Sequence, residues 1–344
     1  MTTTAALALV VLAWLFMAGF VGNTASAAGA AAGRQATLSG TVDSGNQPLA
    51  GVSVTLYGTA SFAGARRAPV VLGSSVSRVD GSFTIAYRSA LRARTVAYVI
   101  ARSGGRVRLG SALGTPPLPR RIVVNERTTV ATAFALAQFI GRVGIVGKAP
   151  GLQNAAAMVG NLVNVRTGGV SEVLSTPPNG IQTSTMRAFN SLANMAVDCA
   201  RSRDGCDALF RLARPPGGPA PRGALVALAD IARNPGHHVG RLFALARSGP
   251  APYRPALRRS QRPDAWTVAL RFDGDGETMN GPGNMAIDAR GNVWVTDNFT
   301  YSRNPLAPVC GGKLLLKFTP AGRYVRGFAL LRRRTRWSWL RDHA

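Results

Sequence analysis

Gly281-Pro282-Gly283-Asn284-Met285-Ala286-Ile287-Asp288-Ala289-Arg290-Gly291-Asn292-Val293-Trp294-Val295-Thr296-Asp297 is the stretch on which the reading of this chain turns. Met285 and Ile287 alternate on one face of a strand, and Val293 and Val295 do the same on the next. The residues between them are turn chemistry. The Asp288 carboxylate is placed to accept from the backbone that follows it, and Gly291 can take positive φ without a Cβ penalty. Related segments stand on either side. Val268-Ala269-Leu270-Arg271-Phe272 precedes Asp273-Gly274-Asp275-Gly276, and 46 residues later Leu314-Leu315-Leu316-Lys317-Phe318 precedes Thr319-Pro320-Ala321-Gly322. Each reads as a strand ending in a basic residue and Phe, followed by a Gly turn.

A period of roughly 40–50 residues suits one blade of a β-propeller; an isolated pair of hairpins in another β fold is the alternative. The segment resembles NHL-type and streptogramin-lyase-like propellers at Gly281-Pro282, Ala286-Ile287-Asp288, Gly291-Asn292-Val293-Trp294-Val295 and Lys317-Phe318, over about one blade. Gly281, Pro282, Asp288, Gly291, Asn292, Trp294 and Asp297 are the motif positions. For the lyases, the resemblance implies a metal-assisted elimination that opens a lactone ring, a carbon–oxygen lyase chemistry using Mg2+. That family draws its catalytic His and acidic residues from several blades. Here no His lies between Tyr253 and Asp342, so no catalytic or metal-binding residue is carried over.

The second copy fades. A shift of 46 places Pro at 328, Asp at 334 and Gly at 337, where the chain has Phe328, Arg334 and Trp337. Propellers close with typically four to eight blades, and this chain supplies about one. The expectation is a partial blade over residues 264–325 and an aberrant basic tail over 326–344, from a shifted frame or similar truncation of a longer gene. The alternatives are a variable insertion before a last degenerate strand, and a membrane anchor in which Trp337 and Trp339 sit among Arg333, Arg334, Arg336 and Arg341 against anionic lipid.

At the other end, the apolar run Ala5–Met17 and the small residues Ala25-Ser26-Ala27 fit a secretory leader over residues 1–27. The alternative is an uncleaved anchor through residues 5–22, at the short limit for spanning a bilayer. Residues 35–124 read as β throughout. Candidate strands are Ala36–Val42, Val52–Tyr57, Val70–Val76, Ser82–Ala86, Thr95–Ala101, Val107–Ala112 and Arg121–Val124, separated by turn residues such as Asp80-Gly81. Short strands at this spacing predict an antiparallel sandwich. Gly40-Thr41-Val42, Pro48-Leu49-Ala50-Gly51-Val52-Ser53-Val54 and Asp80-Gly81-Ser82-Phe83-Thr84-Ile85 resemble the carboxypeptidase-regulatory-like, prealbumin-like sandwich. That resemblance implies a structural or adhesive module. The region holds no His, Cys, Lys or Glu, which argues against acid–base chemistry.

Residues 125–250 switch to helical periodicity. Asn125 is an N-cap candidate, and Val130, Ala133, Phe134 and Ala137 share one face. A second helix is predicted over Gln153–Arg166. A third carries Met186, Phe189, Leu192, Ala193 and Ala196 and ends near Gly205. Leu225–Ala232 follows, and Asn234-Pro235 reads as the start of a last helix. Cys199 and Cys206 would be about 10 Å apart along one continuous helix, but Gly205 lets the chain turn back, and export would permit a disulfide at that corner. Cys310 is left over. Asn154, Asn161, Asn164, Asn190 and Asn194 either line a polar groove or bond neighbouring turns and helix ends. His237-His238 point about 100° apart on a helix, which favours packing over metal binding. The acidic residues Asp273, Asp275, Glu277, Asp288 and Asp297 lack a calcium-loop pattern and read as turn formers. Pro252–Pro263 reads as a Pro/Arg-rich linker.

The formal charge is +26, and only three of the 41 basic residues are Lys. Such a charge favours anionic envelope polymers; no nucleic-acid fold signature accompanies it. The expectation is therefore a multidomain chain: N-terminal antiparallel β-sandwich, central all-α domain, and C-terminal fragment of a β-propeller. Its expected role is binding or structure in a secreted, periplasmic or cell-envelope setting, with no cofactor. The lyase reading applies if further blades complete the ring.

Overall fold

The computed structural model describes residues 35–60, 68–104, 106–141, 143–201, 205–249, 251–276, 279–300 and 309–329. The leader, the spanning alternative over 5–22, Glu277 and the tail beyond Ala329 lie outside the described residues. Alternating apolar and polar residues build the first half. Its strands are β1 (Gln35–Ser44), β2 (Gln47–Pro48), β3 (Ser53–Ala60), β4 (Val70–Val76), β5 (Ser82–Arg88), β6 (Thr95–Ser103), β7 (Arg106–Gly114) and β8 (Arg121–Val124). Every strand read from the sequence over residues 35–124 is present, with β4 and β8 at the bounds read there; β2 is a short addition. The strands form two sheets, β2-β1-β5 with β8 beside β1, and β4-β3-β6-β7. Pairing is antiparallel except between β1 and β8, which run parallel from Ser39 opposite Arg121 to Val42 opposite Val124. Leu38, Phe83, Ile85 and Ile122 of the first sheet meet Val54, Leu56, Val99 and Leu109 of the second in one core.

β6 has no solvent face. Thr95 to Ala101 are buried at every position. Ala97, Val99 and Ala101 point into the core between the sheets, while Val96, Tyr98 and Ile100 join the core of the helices behind. A continuous apolar run is the pattern such a strand requires.

The helices are α1 (Glu126–Ala135), α2 (Gly151–Met158), α3 (Glu172–Ser175), α4 (Thr185–Arg201), α5 (Gly205–Ala213), α6 (Ala224–Arg233) and α7 (Val239–Ser248). Asn125 caps α1 as the sequence suggests: its side chain accepts from the Thr128 N–H at 3.0 Å, and Thr128 Oγ1 accepts from the Asn125 N–H at 3.0 Å. α1 is stitched to β7, where Gly110 N donates to Thr129 Oγ1 (2.9 Å) and Ala112 N to Thr132 Oγ1 (2.8 Å). An otherwise open sheet edge is thereby covered.

Two helix boundaries differ from those read in the sequence. α2 stops at Met158 and passes through a 3-10 turn over Val159–Asn161. The rest of Gln153–Arg166 belongs to a small hairpin, β11 (Val163–Asn164) against β12 (Gly169–Val170), which turns at Gly168 with φ +70°. The β-branched Val163 and Val165, with a glycine turn after them, outweigh the helical spacing. A similar pair, β9 (Ile140–Gly141) and β10 (Gly144–Ile145), precedes α2. Asn234 ends α6 instead of opening α7: its N–H and Nδ2 both bond the Asp230 carbonyl at 3.0 Å. α7 starts at Val239, after His238 at φ +50°. The third helix, α4, ends at Arg201, close to the Gly205 read in the sequence, and α5 is a further helix that the sequence reading does not assign.

The C-terminal sheet comprises β13 (Pro282–Ile287), β14 (Val293–Thr300), β15 (Val309–Phe318) and β16 (Tyr324–Ala329), antiparallel and in chain order. β16 runs through Arg326, so the change of composition there does not end the sheet. Val295, Leu316 and Phe318 form a small core with Phe272 and Met279. Met285 and Ile287 on β13 are each 70% exposed. Cys310 lies on β15 opposite Phe299. The molecule is thus a mixed α/β chain with several antiparallel sheets, and the described residues form no closed barrel or propeller.

The expected first copy is not a strand. Val268–Phe272 has no sheet partner, and its Val268 and Leu270 pack against the core of the helices. Its backbone groups bond side chains instead: Thr185 Oγ1 donates to Ala269 O at 2.6 Å, and Asn179 takes both the N–H and C=O of Arg271. A run that alternates and satisfies its backbone this way has the sequence signature of a strand without a neighbouring strand.

Candidate binding sites

The segment from Ala251 to Phe272 has no sheet pairing and, apart from a 3-10 turn over Arg259–Gln261, no helix; it is held by the helical layer as a strap. Asn194 bonds both the N–H and C=O of Tyr253. Asn190 Nδ2 donates to Pro255 O at 2.9 Å, and Ser191 Oγ accepts from Leu257 N at 2.9 Å. Tyr253, Leu257 and Trp266 are buried anchors along it. Asn190 and Asn194 therefore do line a polar groove, and this chain's own strap fills it. Asn164 instead closes a local turn onto Arg166 N at 3.0 Å. Asn154 and Asn161 reach the C-terminal sheet, donating to Arg290 O (3.0 Å) and Ala321 O (2.7 Å) in two of its described turns. The Pro/Arg-rich "linker" is thus a packed element. The signal in the sequence was Tyr253 and Leu257 inside a stretch otherwise rich in Pro and Arg, with Trp266 just beyond it.

The strap begins at a buried carboxyl. Glu126, on the first turn of α1, is fully buried and accepts from Ser44 Oγ (2.6 Å), Gly45 N (3.2 Å) and the Tyr253 hydroxyl. Burial pushes its pKa up, and the hydrogen bonds from Ser44 and Tyr253 oppose that shift. Arg127 lies over the Tyr253 ring at 4.7 Å and donates to Asn190 Oδ1 at 2.9 Å. The turn between β1 and β2, the start of α1 and the strap meet at this one group.

The motif residues of the C-terminal sheet are brought together around two aspartates. Asp288 Oδ1 accepts from Arg290 N and Asn292 N, both at 2.9 Å. Its Oδ2 accepts from Asn292 Nδ2 (2.8 Å) and Trp294 Nε1 (3.1 Å). Gly291 takes φ +84°, and Asn154 occupies the space a Cβ would need. Asp297, buried on β14 opposite Pro282, accepts from Asn280 N (3.2 Å) and Gly281 N (2.8 Å). Asp288 acts as a turn former, as the sequence reading has it, whereas Asp297 sits within β14 and holds the distant chain at Asn280 and Gly281. No group of metal-ligating side chains occurs among the described residues.

One face of this sheet carries cations on aromatics. Lys317 Nζ sits 4.7 Å from the Trp294 ring centroid, and the Arg326 guanidinium sits 4.4 Å from that of Phe328. The two rings are 5.4 Å apart. The registers Trp294↔Lys317 and Lys317↔Arg326 place these side chains on three adjacent strands. The opposite face is the one covered by Phe272 and Met279.

Cys199 and Cys206 form a disulfide, with Cα atoms 4.0 Å apart and both side chains buried. Cys199 lies on α4 and Cys206 on α5, and the two are far closer than positions seven apart on one continuous helix. The His237 and His238 rings are 3.8 Å apart, and His238 Nδ1 meets Leu212 O at 3.1 Å, a packing role. No helix among the described residues is long and apolar enough to cross a membrane.

No protein-family model matches the chain, and no curated protein matches it either. Among solved structures, an alternative pilotin from the type II secretion system of Vibrio cholerae is 19% identical, over 26% of this chain and 97% of that one, with a TM-score of 0.19. A 9R-lipoxygenase from Cyanothece PCC8801 is 10% identical, over 88% of this chain and 43% of that one, with a TM-score of 0.20. Likenesses at these scores say nothing about what this chain does.

Proposed function

We propose that this chain is a non-catalytic binding and structural protein of the cell exterior or envelope. In this reading, a prealbumin-like sandwich and a helical layer carry an NHL-type blade and present it to an anionic polysaccharide. The observation that carries it is the row Lys317, Trp294, Phe328 and Arg326 on the open face of the C-terminal sheet. Aromatic faces stack on the apolar faces of sugar rings, while the flanking cations pair with carboxylates. The charge of +26 draws such a polymer from a distance. The apolar run Ala5–Met17 and the Cys199–Cys206 disulfide support export.

The test is retention of the full chain on polygalacturonate against neutral dextran at two salt concentrations. Retention on the acidic polymer alone, falling with salt, is the expected outcome. Lys317→Ala with Arg326→Ala should weaken it roughly ten-fold. Equal retention on both polymers, or an unaffected double variant, would refute the reading.

A further inference from the structure

Four arginines converge where α4, α7 and the strap meet. Arg187 comes from α4, Arg247 from α7, and Arg254 and Arg258 from the strap. With Pro255 and Leu257 they line a hollow of about 630 Å³, within the roughly 300–1,000 Å³ usual for small-ligand sites. Arg187 is half-buried and the other three are exposed. None of the four makes an ion pair among the described residues. Arg247 donates to Leu257 O at 3.3 Å, and Arg127 reaches Arg254 O at 3.5 Å, adding a fifth cation beside the hollow.

Like charges gathered without counter-ions repel one another, and here the fold holds them together. The strap cannot drift outward, because Asn190 bonds Pro255 O and Ser191 bonds Leu257 N, each at 2.9 Å. Arg254 and Arg258 are therefore presented from a clamped backbone, which lowers the ordering cost of binding. A compact anion of several charges relieves the repulsion, and planar guanidinium forks match phosphoryl oxygens two at a time. The hollow also has an apolar wall in Ala251, Pro255, Ala256 and Leu257, which suits a carbon chain attached to the anion.

We infer that this concavity binds a diphosphate group, either free or esterified to an apolar chain. It shares no residue with the face of the C-terminal sheet, so this inference and the polysaccharide reading stand or fall separately.

The experiment is calorimetric titration of the full chain with inorganic pyrophosphate and, in parallel, with an alkyl diphosphate. The expected result is saturable binding of one equivalent. Arg187→Gln and Arg254→Gln should each weaken it about ten-fold, the loss of one charge-assisted contact. Lys317→Ala with Arg326→Ala should leave it unchanged. Tighter binding of the alkyl ester identifies an esterified source, and equal binding a free one. Should Arg187→Gln fail to fold, Arg254→Gln and Arg258→Gln, both at exposed positions, carry the test. The inference is overturned by the absence of saturable binding, by wild-type affinity in Arg254→Gln and Arg258→Gln, or by citrate competing as well as pyrophosphate.

Discussion

Asn194 holds Tyr253 at both of its main-chain polar groups: Nδ2 donates to the Tyr253 carbonyl at 3.0 Å, and Oδ1 accepts the Tyr253 N–H at 2.9 Å. Asn179 repeats the clasp on Arg271 at 3.0 and 2.8 Å. The strap is thus bound as a separate peptide would be, through its backbone, with Tyr253, Leu257 and Trp266 as side-chain anchors.

Asn194→Ala leaves the buried N–H and C=O of Tyr253 without partners. The expected loss is about 2–4 kcal/mol from two unmade bonds, read as a lower denaturant midpoint. Asn194→Asp keeps the acceptor and loses the donor, and should fall between. Limited proteolysis should cut between residues 251 and 272 sooner in both variants than in the parent. A variant as stable as the parent would show that the clasp is not what holds the strap.

Gly291→Ala places a Cβ at φ +84° and against Asn154. The expected cost is about 1–3 kcal/mol. It should appear as faster amide exchange across β13 and β14, with the β1–β8 amides unchanged.

Two carboxyls respond to pH in opposite directions. Glu126 is raised above its ordinary 4.5 by burial, so the folded state holds its proton more tightly than the unfolded one. Its contribution is full below about pH 4.5 and declines as pH rises through the folded value. Asp288 is held below its ordinary 3.8, chiefly by the Asn292 side chain. Its contribution is present above that value and lost as pH falls further. Acidification should therefore tighten the junction of strap and α1 while loosening the turn over 288–292. Amide exchange measured across this range separates the two; Glu126→Gln should flatten the first response, and Asp288→Asn the second.

Reduction of Cys199–Cys206 opens a loop of sequence separation 7. Chain-entropy reasoning gives a loss of about 2–3 kcal/mol. The melting temperature should drop on adding a reductant, and Cys199→Ala with Cys206→Ala should melt at the reduced temperature whether or not reductant is present.

The β half was legible because strict alternation and Asp-Gly turns leave little choice of register, and the run Thr95–Ala101 even carried the mark of a strand buried on both sides. The turn over 288–292 was legible for the same reason: its bonds are local. What the sequence hid was anything decided by a distant partner. Val268–Phe272 alternates like a strand, yet Asn179 and Thr185 supply the bonds a neighbouring strand would have made. Asn234 has the chemistry of either helix end, and only the packing of α6 assigns it. Arg187 is distant in the chain from Arg247, Arg254 and Arg258, and it joins them only once the strap is laid down.

β6 meets the opposing sheet through Val99 on one side, and on the other Tyr98 reaches the Ile145 N–H at 3.3 Å. A sandwich of this outline transplanted without its helices would expose an apolar strand, and the helices lifted away would lose their floor. The two layers therefore have to be inherited as a unit, and substitutions on either side of that strand are expected to co-evolve.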